Sequence, residues 1–348
     1  MSDDRVRVMI ASPLEPEHVE TIRRVDARVE VLYEPDLLPS TRYVADHDGD
    51  PDFRRTSEQE ARWQELAARA DVAFDFPYRD RSPRDYAPNL RWVQTTSAGV
   101  GQLVSRLGIQ PRDMLVTTAS GVHARPLTEF VFMVLLMAVK DQPEMARQQR
   151  ERRWDRFCAD ELTGKTLAIV GPGRIGREVA RIGRCFDMRP VALARDCRPG
   201  RAAELGVDRV YAADELHAML AETDALVLCA PHTPETENIM DAAAFDVLKP
   251  GVILVNIGRG QLVDETAMLA KLRDGTIRFA GLDVFRTEPL PADSPFRDLP
   301  NVLISPHSAS TSLHENGRIV EIFTHNLLCF LDGRANEMRN VLDIGRMY

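Results

Sequence analysis

A chain of 348 residues with 44% hydrophobic content is long enough to bury the cores of about two domains. Its formal net charge of -9 argues against a nucleic-acid surface, because phosphate binding needs clustered, uncompensated Lys and Arg, and the basic run at residues 147–156 carries acidic neighbours. The longest apolar run, residues 130–139, falls short of the roughly 20 residues that cross a bilayer, so no membrane partner is expected.

The opening "MSDDRVRVMIAS" has no basic region followed by an apolar stretch, and no secretory leader is expected. "RVRVMIAS" alternates apolar and polar residues and predicts a strand, "EPEHVETIRRV" a helix and "VEVLYEP" a second strand. Strand, helix, strand is the rhythm of a parallel α/β unit. Residues 35–56 are rich in Asp, Pro and Arg without periodicity and read as a surface loop or insertion. Helix returns at "SEQEARWQELAARA", then strands at "DVAFDF" and "LRWVQTT", which together outline a flavodoxin-like first domain. Residues 127–156 form one nearly unbroken helical pattern, with Pro126 in its first turn, and its apolar face suggests an interface helix. Beyond it, "TLAIVG", "RPVALA", "DALVLCA", "VILVNIG", "RFAGLDV" and "NVLIS" read as six strands alternating with helices, the pattern of a doubly wound parallel sheet. "LHENGRIVEIFTHNLLCFLDG" closes the pattern as a helix able to return to the first domain.

"VGPGRIGREVA" sets Gly171, Gly173 and Gly176 in G-x-G-x-x-G register after a strand and at the opening of a helix. The first glycine permits a tight turn and the second lets a pyrophosphate approach the backbone. The third lets helix and strand pack closely. At the end of the next strand, where an acid would bind the ribose hydroxyls of NAD, stands Arg195, which can pair with the 2′-phosphate of NADP. Asp196 follows at once, so NADP is favoured and NAD stays open.

The motifs "SAGVGQL", "ASGVHARPLTEF", "VGPGRIGREVA", "LCAPHTPETENIM", "VNIGRGQLVDETAMLAKLRDGTIRFAGLDVFRTEPLP" and "NVLISPHSA", in this order, resemble the D-isomer-specific 2-hydroxyacid dehydrogenase family. The resemblance implies an α/β chain of two Rossmann-like domains. A doubly wound parallel-sheet nucleotide-binding domain, residues 121–307, would be inserted into a discontinuous flavodoxin-like substrate domain, residues 1–120 and 308–348, with the active site in the cleft. It implies that Arg259 grips the substrate carboxylate and 2-oxo oxygen, as a guanidinium can hold two oxygens. His307 would be the acid/base and a cofactor contact, with Glu288 orienting its imidazole and stabilising the protonated form. Ala98 and Gly99 would offer backbone NH groups to the carboxylate. Arg174 and Ile175 would face the pyrophosphate, Ala230, Pro231 and Ile257 would line the cofactor, and Asp283 would hold the nicotinamide carboxamide.

His232 stands where the family more usually has leucine, and either a cofactor contact or a surface position fits it. His47, within "ADHDGD", reads as a solvated loop residue, His123 as part of the turn before the interface helix, and no metal is expected. Five cysteines without CxxC or ligand-like spacing suit a reducing cytoplasm. The expected protein is a cytoplasmic, homodimeric 2-oxoacid reductase. Two rivals stand beside it: a phosphoglycerate-type dehydrogenase, whose Asp-Asn after the first-domain "GV" is here replaced by "GVGQL", and a non-catalytic NAD(H)-sensing interaction protein. Formate dehydrogenases carry glutamine where Glu288 stands.

Overall fold

The computed structural model describes residues 5–110 and 113–345. The chain divides into two compact units, one made of residues 1–123 and 311–348, the other of residues 124–310.

The first unit runs β1 (Val6–Ile10), α1 (Pro16–Arg23), β2 (Val29–Leu32), α2 (Ser57–Arg69), β3 (Val72–Phe74), α3 (Pro83–Tyr86), β4 (Trp92–Gln94), α4 (Gly101–Arg106) and β5 (Leu115–Thr117). Its five strands pair in parallel in the order β2-β1-β3-β4-β5, the flavodoxin-like order. Alternate side chains serve opposite faces: Val8, Ile10, Phe74 and Trp92 pack in one cluster, Met9, Ala73 and Val93 in another. Helix α2 starts on a capping box, in which Thr56 Oγ1 accepts from the Gln59 amide at 3.2 Å and Gln59 Oε1 from the Thr56 amide at 2.9 Å.

The second unit opens with α5 (Ala124–Val139) and α6 (Gln142–Glu151), then runs β6 (Thr166–Val170), α7 (Arg174–Cys185), β7 (Arg189–Leu193), α8 (Arg201–Leu205), β8 (Arg209–Tyr211) and α9 (Leu216–Ala221). It continues with β9 (Ala225–Leu228), α10 (Ala242–Asp246), β10 (Val252–Asn256), α11 (Glu265–Arg273), β11 (Ile277–Leu282) and β12 (Val302–Ile304). The sheet order is β12-β11-β10-β9-β6-β7-β8, all parallel. The strand order reverses between β6 and β9, and open α/β sheets bind ligands at such a switch point. After this unit the chain returns to the first as α12 (Glu315–Leu331), whose Phe323 stacks on Trp92 at 5.0 Å and meets the edge of Phe74 at 5.3 Å.

Three local expectations need correction. The helical pattern of residues 127–156 breaks after Val139, where Asp141 turns to a φ of 53° and Pro143 opens a second helix. A proline lacks the NH that would continue the first helix and fits the start of the next. Residues 153–156 are exposed and irregular rather than helical. Strands β5 and β8, of three residues each, were not foreseen.

Candidate active site

The turn after β6 is built by close approach. Gly171 adopts a φ of +92°, and a Cβ there would lie 2.6 Å from Ala230 Cα, so the loops that leave β6 and β9 touch. A Cβ on Gly176 would fall 2.8 Å from the Gly171 carbonyl oxygen, which brings α7 hard against the turn. Gly173, the residue before α7, is different: nothing lies within 4 Å of where its Cβ would stand. That open space beside the free amides of a 12-residue helix fits the pyrophosphate of a dinucleotide. Arg174 is exposed and Ile175 half-buried at the same opening, Ala230 and Ile257 are each 5% exposed, and Pro231 is exposed. Beneath the turn the Cys229 thiol donates to the Gly171 carbonyl at 3.1 Å, and burial pushes its pKa up to about 12, which makes it a packing group rather than a nucleophile. Past β7, Arg195 is exposed, while Asp196 is engaged by Arg198 at 3.1 Å and Arg201 at 3.4 Å.

Three polar side chains gather at the carboxyl ends of β10, β11 and β12. Asn256, 2% exposed at the end of β10, shapes the first loop: its Nδ2 donates to the Arg259 carbonyl at 3.1 Å and its Oδ1 accepts from the Gly258 amide at 3.1 Å. The loop after β11 carries Glu288, whose Oε1 accepts from the Phe285 amide at 2.9 Å. The two loops meet at Gly260, where a Cβ would stand 2.0 Å from the Phe285 carbonyl carbon. His307 follows β12 with a φ of 55°, and its Nδ1 lies 2.8 Å from Glu288 Oε2. Asp283 fixes that turn, its Oδ1 accepting from Ser305 Oγ at 2.6 Å and from the amides of Ser308 and Ala309 at 2.9 and 3.0 Å. Burial pulls the Arg259 guanidinium below its ordinary value, and the Glu288 and Asp283 carboxylates act in the opposite sense. The result is a half-buried cation that feels the same carboxylate to which the imidazole is bound.

Comparison with known proteins bears on this arrangement directly. Residues 132–309 match the family model described as D-isomer specific 2-hydroxyacid dehydrogenase, NAD binding domain. A glyoxylate reductase of Korarchaeum cryptofilum is 35% identical over 253 residues, 71% of this chain and 75% of that protein. The chain belongs to the D-isomer specific 2-hydroxyacid dehydrogenase family. A D-3-phosphoglycerate dehydrogenase of Mycobacterium tuberculosis is 36% identical over 67% of this chain but only 43% of its own length. Among solved structures, a probable 2-hydroxyacid dehydrogenase from Rhizobium etli, in complex with NADP, HEPES and L(+)-tartaric acid, aligns with a TM-score of 0.74 at 26% identity, covering 99% of this chain and 100% of that one. This dehydrogenase is thus an NAD(P)-dependent oxidoreductase of 2-hydroxyacids.

Within the dehydrogenase, Ala98 and Gly99 belong to the other compact unit, in an exposed loop after β4 that is tied down where Thr95 Oγ1 donates to the Ser97 carbonyl at 2.8 Å. His232 turns to Glu237, and Glu237 pairs with Arg286 at 2.7 Å. His47 is not the solvated residue expected, and His123 stands in the turn before α5 as expected. Both bring Nε2 to Glu315, at 3.4 and 3.1 Å, and Glu315 is 6% exposed. Burial alone would raise the Glu315 pKa, but the two imidazoles more than offset it and hold the carboxyl near 2. No local signal could have shown this cluster, because His123 and Glu315 are 192 residues apart in sequence. Gly260 and Asn256 were missed for the same reason: their roles lie in contacts between loops. Among the described residues no group of three or more His, Cys, Asp and Glu side chains could hold a metal ion, and no helix is long and apolar enough to cross a membrane.

Proposed function

We propose that this dehydrogenase works as an NADP(H)-preferring reductase of 2-oxoacids, with Arg259 binding the substrate carboxylate and 2-oxo oxygen and with His307 and Glu288 as the acid/base pair. The 2.8 Å contact between His307 Nδ1 and Glu288 Oε2, beside a desolvated Arg259, carries the reading. Glu288 accepts the Nδ1 proton and so directs the other proton of the imidazolium, on Nε2, outward. Arg259, short of solvent, gains most from an anion, and its fork matches a carboxylate and the adjacent oxo oxygen. When bound, the reduced dinucleotide supplies a hydride. As the carbonyl carbon receives it, charge builds on the oxygen, Arg259 stabilises that charge, and His307 delivers the Nε2 proton to give the hydroxyl. Oxidation of the hydroxyacid reverses each step.

Gly171, Gly173, Arg174, Ile175 and Gly176 are assigned to the pyrophosphate, with Ala230, Pro231, Ile257 and Asp283 as further cofactor contacts. The amides of Ala98 and Gly99 are assigned to the substrate carboxylate. Preference for NADP is supported by Arg195 at the end of β7 and by the engagement of Asp196 with Arg198 and Arg201, which leaves that carboxylate poorly placed to serve a ribose. A homodimer is supported by Met133 on α5, Met145 on α6, and Trp154 and Phe157 in the segment beyond, all apolar and exposed, Trp154 at 95%. A reducing, cytoplasmic setting is supported by five free cysteines.

The test is the rate of NADPH oxidation, with NADH in parallel, against a panel of small, branched and aromatic 2-oxoacids, comparing wild type with His307→Ala. Turnover of at least one acid, with the variant reduced at least about 100-fold, is expected. Equal rates for the two proteins would overturn the acid/base assignment.

A further inference from the structure

Between β2 and α2 the chain forms a strap, residues 38–50, whose tip is fastened to the carboxyl edge of the five-stranded sheet by two consecutive residues. His47 holds Ser12, just past β1, with 3.2 Å between its Nδ1 and Ser12 Oγ, and it faces Glu315 on the other side. Asp48 pairs with Arg79 at 2.8 Å. Arg79 in turn lies 2.7 Å from Asp75, which follows β3, and Asp75 Oδ2 accepts from Thr96 Oγ1 at 2.9 Å. Thr96 leads directly into the loop of Ala98 and Gly99. From the far side of that loop, Arg106 of α4 donates to the Arg79 carbonyl at 3.2 Å. Arg79 is therefore tied to both ends of the loop proposed to receive the substrate carboxylate.

The two acids on Arg79 differ in kind. Asp75 is 3% exposed and fixed by Thr96, whereas the Asp48 side chain is 74% exposed and meets the guanidinium through Nη1 alone. With Asp48 in place, the charges of Arg79, Arg106, Asp75 and Asp48 cancel. Without it, one positive charge remains.

Resting on the reductase reading, we propose that Asp48 is a specificity-determining residue: it occupies Arg79 against a second anionic group, so that the site takes short 2-oxoacids with an uncharged or hydroxylated side chain and rejects phosphorylated or dicarboxylic ones. A hydroxyl can donate to Asp48 or accept from Arg79, but a phosphate or second carboxylate meets Asp48 as a like charge, which opposes binding.

The experiment measures kcat/KM for glyoxylate, hydroxypyruvate, 3-phosphohydroxypyruvate and oxaloacetate in wild type, Asp48→Asn and Asp50→Asn. Asp50 is a carboxylate of the same strap that caps the Asp52 amide instead of Arg79, and its variant controls for loss of charge alone. Wild type is expected to favour hydroxypyruvate over its phosphate ester by about tenfold or more. Asp48→Asn should raise the ester-to-hydroxypyruvate ratio by about tenfold, chiefly through KM, and Asp50→Asn should leave the ratio where it was. A ratio unmoved by Asp48→Asn, or a wild type that prefers the ester, overturns the role of Asp48. Absence of turnover with every acid refutes the reductase reading itself.

Discussion

Gly260→Ala is the sharpest test of how the acid/base pair is assembled. The added Cβ would stand 2.0 Å from the Phe285 carbonyl carbon, 2.2 Å from its oxygen and 2.3 Å from the Arg286 amide nitrogen, all backbone atoms that no rotamer change can withdraw. Ordinary contact begins at 3.4 Å, so the loops after β10 and β11 must part by about 1.4 Å. Phe285 is the residue whose amide holds Glu288, so the movement falls on Arg259 on one side and on the Glu288–His307 pair on the other. A misplacement of about 1 Å in a positioned group costs on the order of 100-fold in rate. Steady-state kinetics should therefore show kcat/KM for the preferred 2-oxoacid falling about 100-fold, while equilibrium binding of NADPH, assigned above to the turn after β6, changes little. A variant that folds and keeps kcat/KM within about threefold of wild type would refute the claim that this contact sets the geometry.

Two further outcomes follow from charges described above. Glu315→Gln should cost about 3 kcal/mol at neutral pH, the worth of a carboxyl depressed from 4.5 to about 2. Because the folded-state pKa is the lower one, that stability is present above about pH 4.5 and lost as the pH falls towards 2, so urea titrations of the two proteins should converge in acid, and a constant gap would contradict the linkage. Arg195→Ser should raise KM for NADPH about ten- to a hundredfold with little change for NADH, and equal effects on both cofactors would remove Arg195 from 2′-phosphate recognition.

The glycine turn after β6 was readable because everything it needs is local: a strand, three glycines at fixed spacing and a helix start, all within residues 166–185. Arg259, Glu288 and His307 could be picked out only through their resemblance to a family, since each stands on a different loop and each alone is an ordinary polar residue. Periodicity cannot show which loops will touch, and so Gly260, Asn256 and the anchoring role of Asp283 were invisible, although Asn256 shapes the Arg259 loop and the other two the loops of Glu288 and His307. The Glu315 cluster shows the same limit in the other unit: His47, read as a solvated loop residue, and His123, read as a turn residue, converge on a carboxylate carried near the other end of the chain. The single long helix failed at a visible cue, Pro143, outweighed there by a strong apolar pattern on its N-terminal side.

The discontinuity of the first unit bears on the order in which the chain can fold during synthesis. The nucleotide unit is one continuous segment, so its whole core exists once residue 310 has left the ribosome. The five strands of the first unit emerge earlier, yet one face of their sheet, with Val8, Phe74 and Trp92, waits for Ile319, Val320 and Phe323 of α12. Until more than 200 further residues have been made, that apolar face is covered only in part, by Leu14 and by Val19 and Ile22 of α1. The part of the protein translated first is therefore the part completed last, and the interval between the two is when it is most open to aggregation.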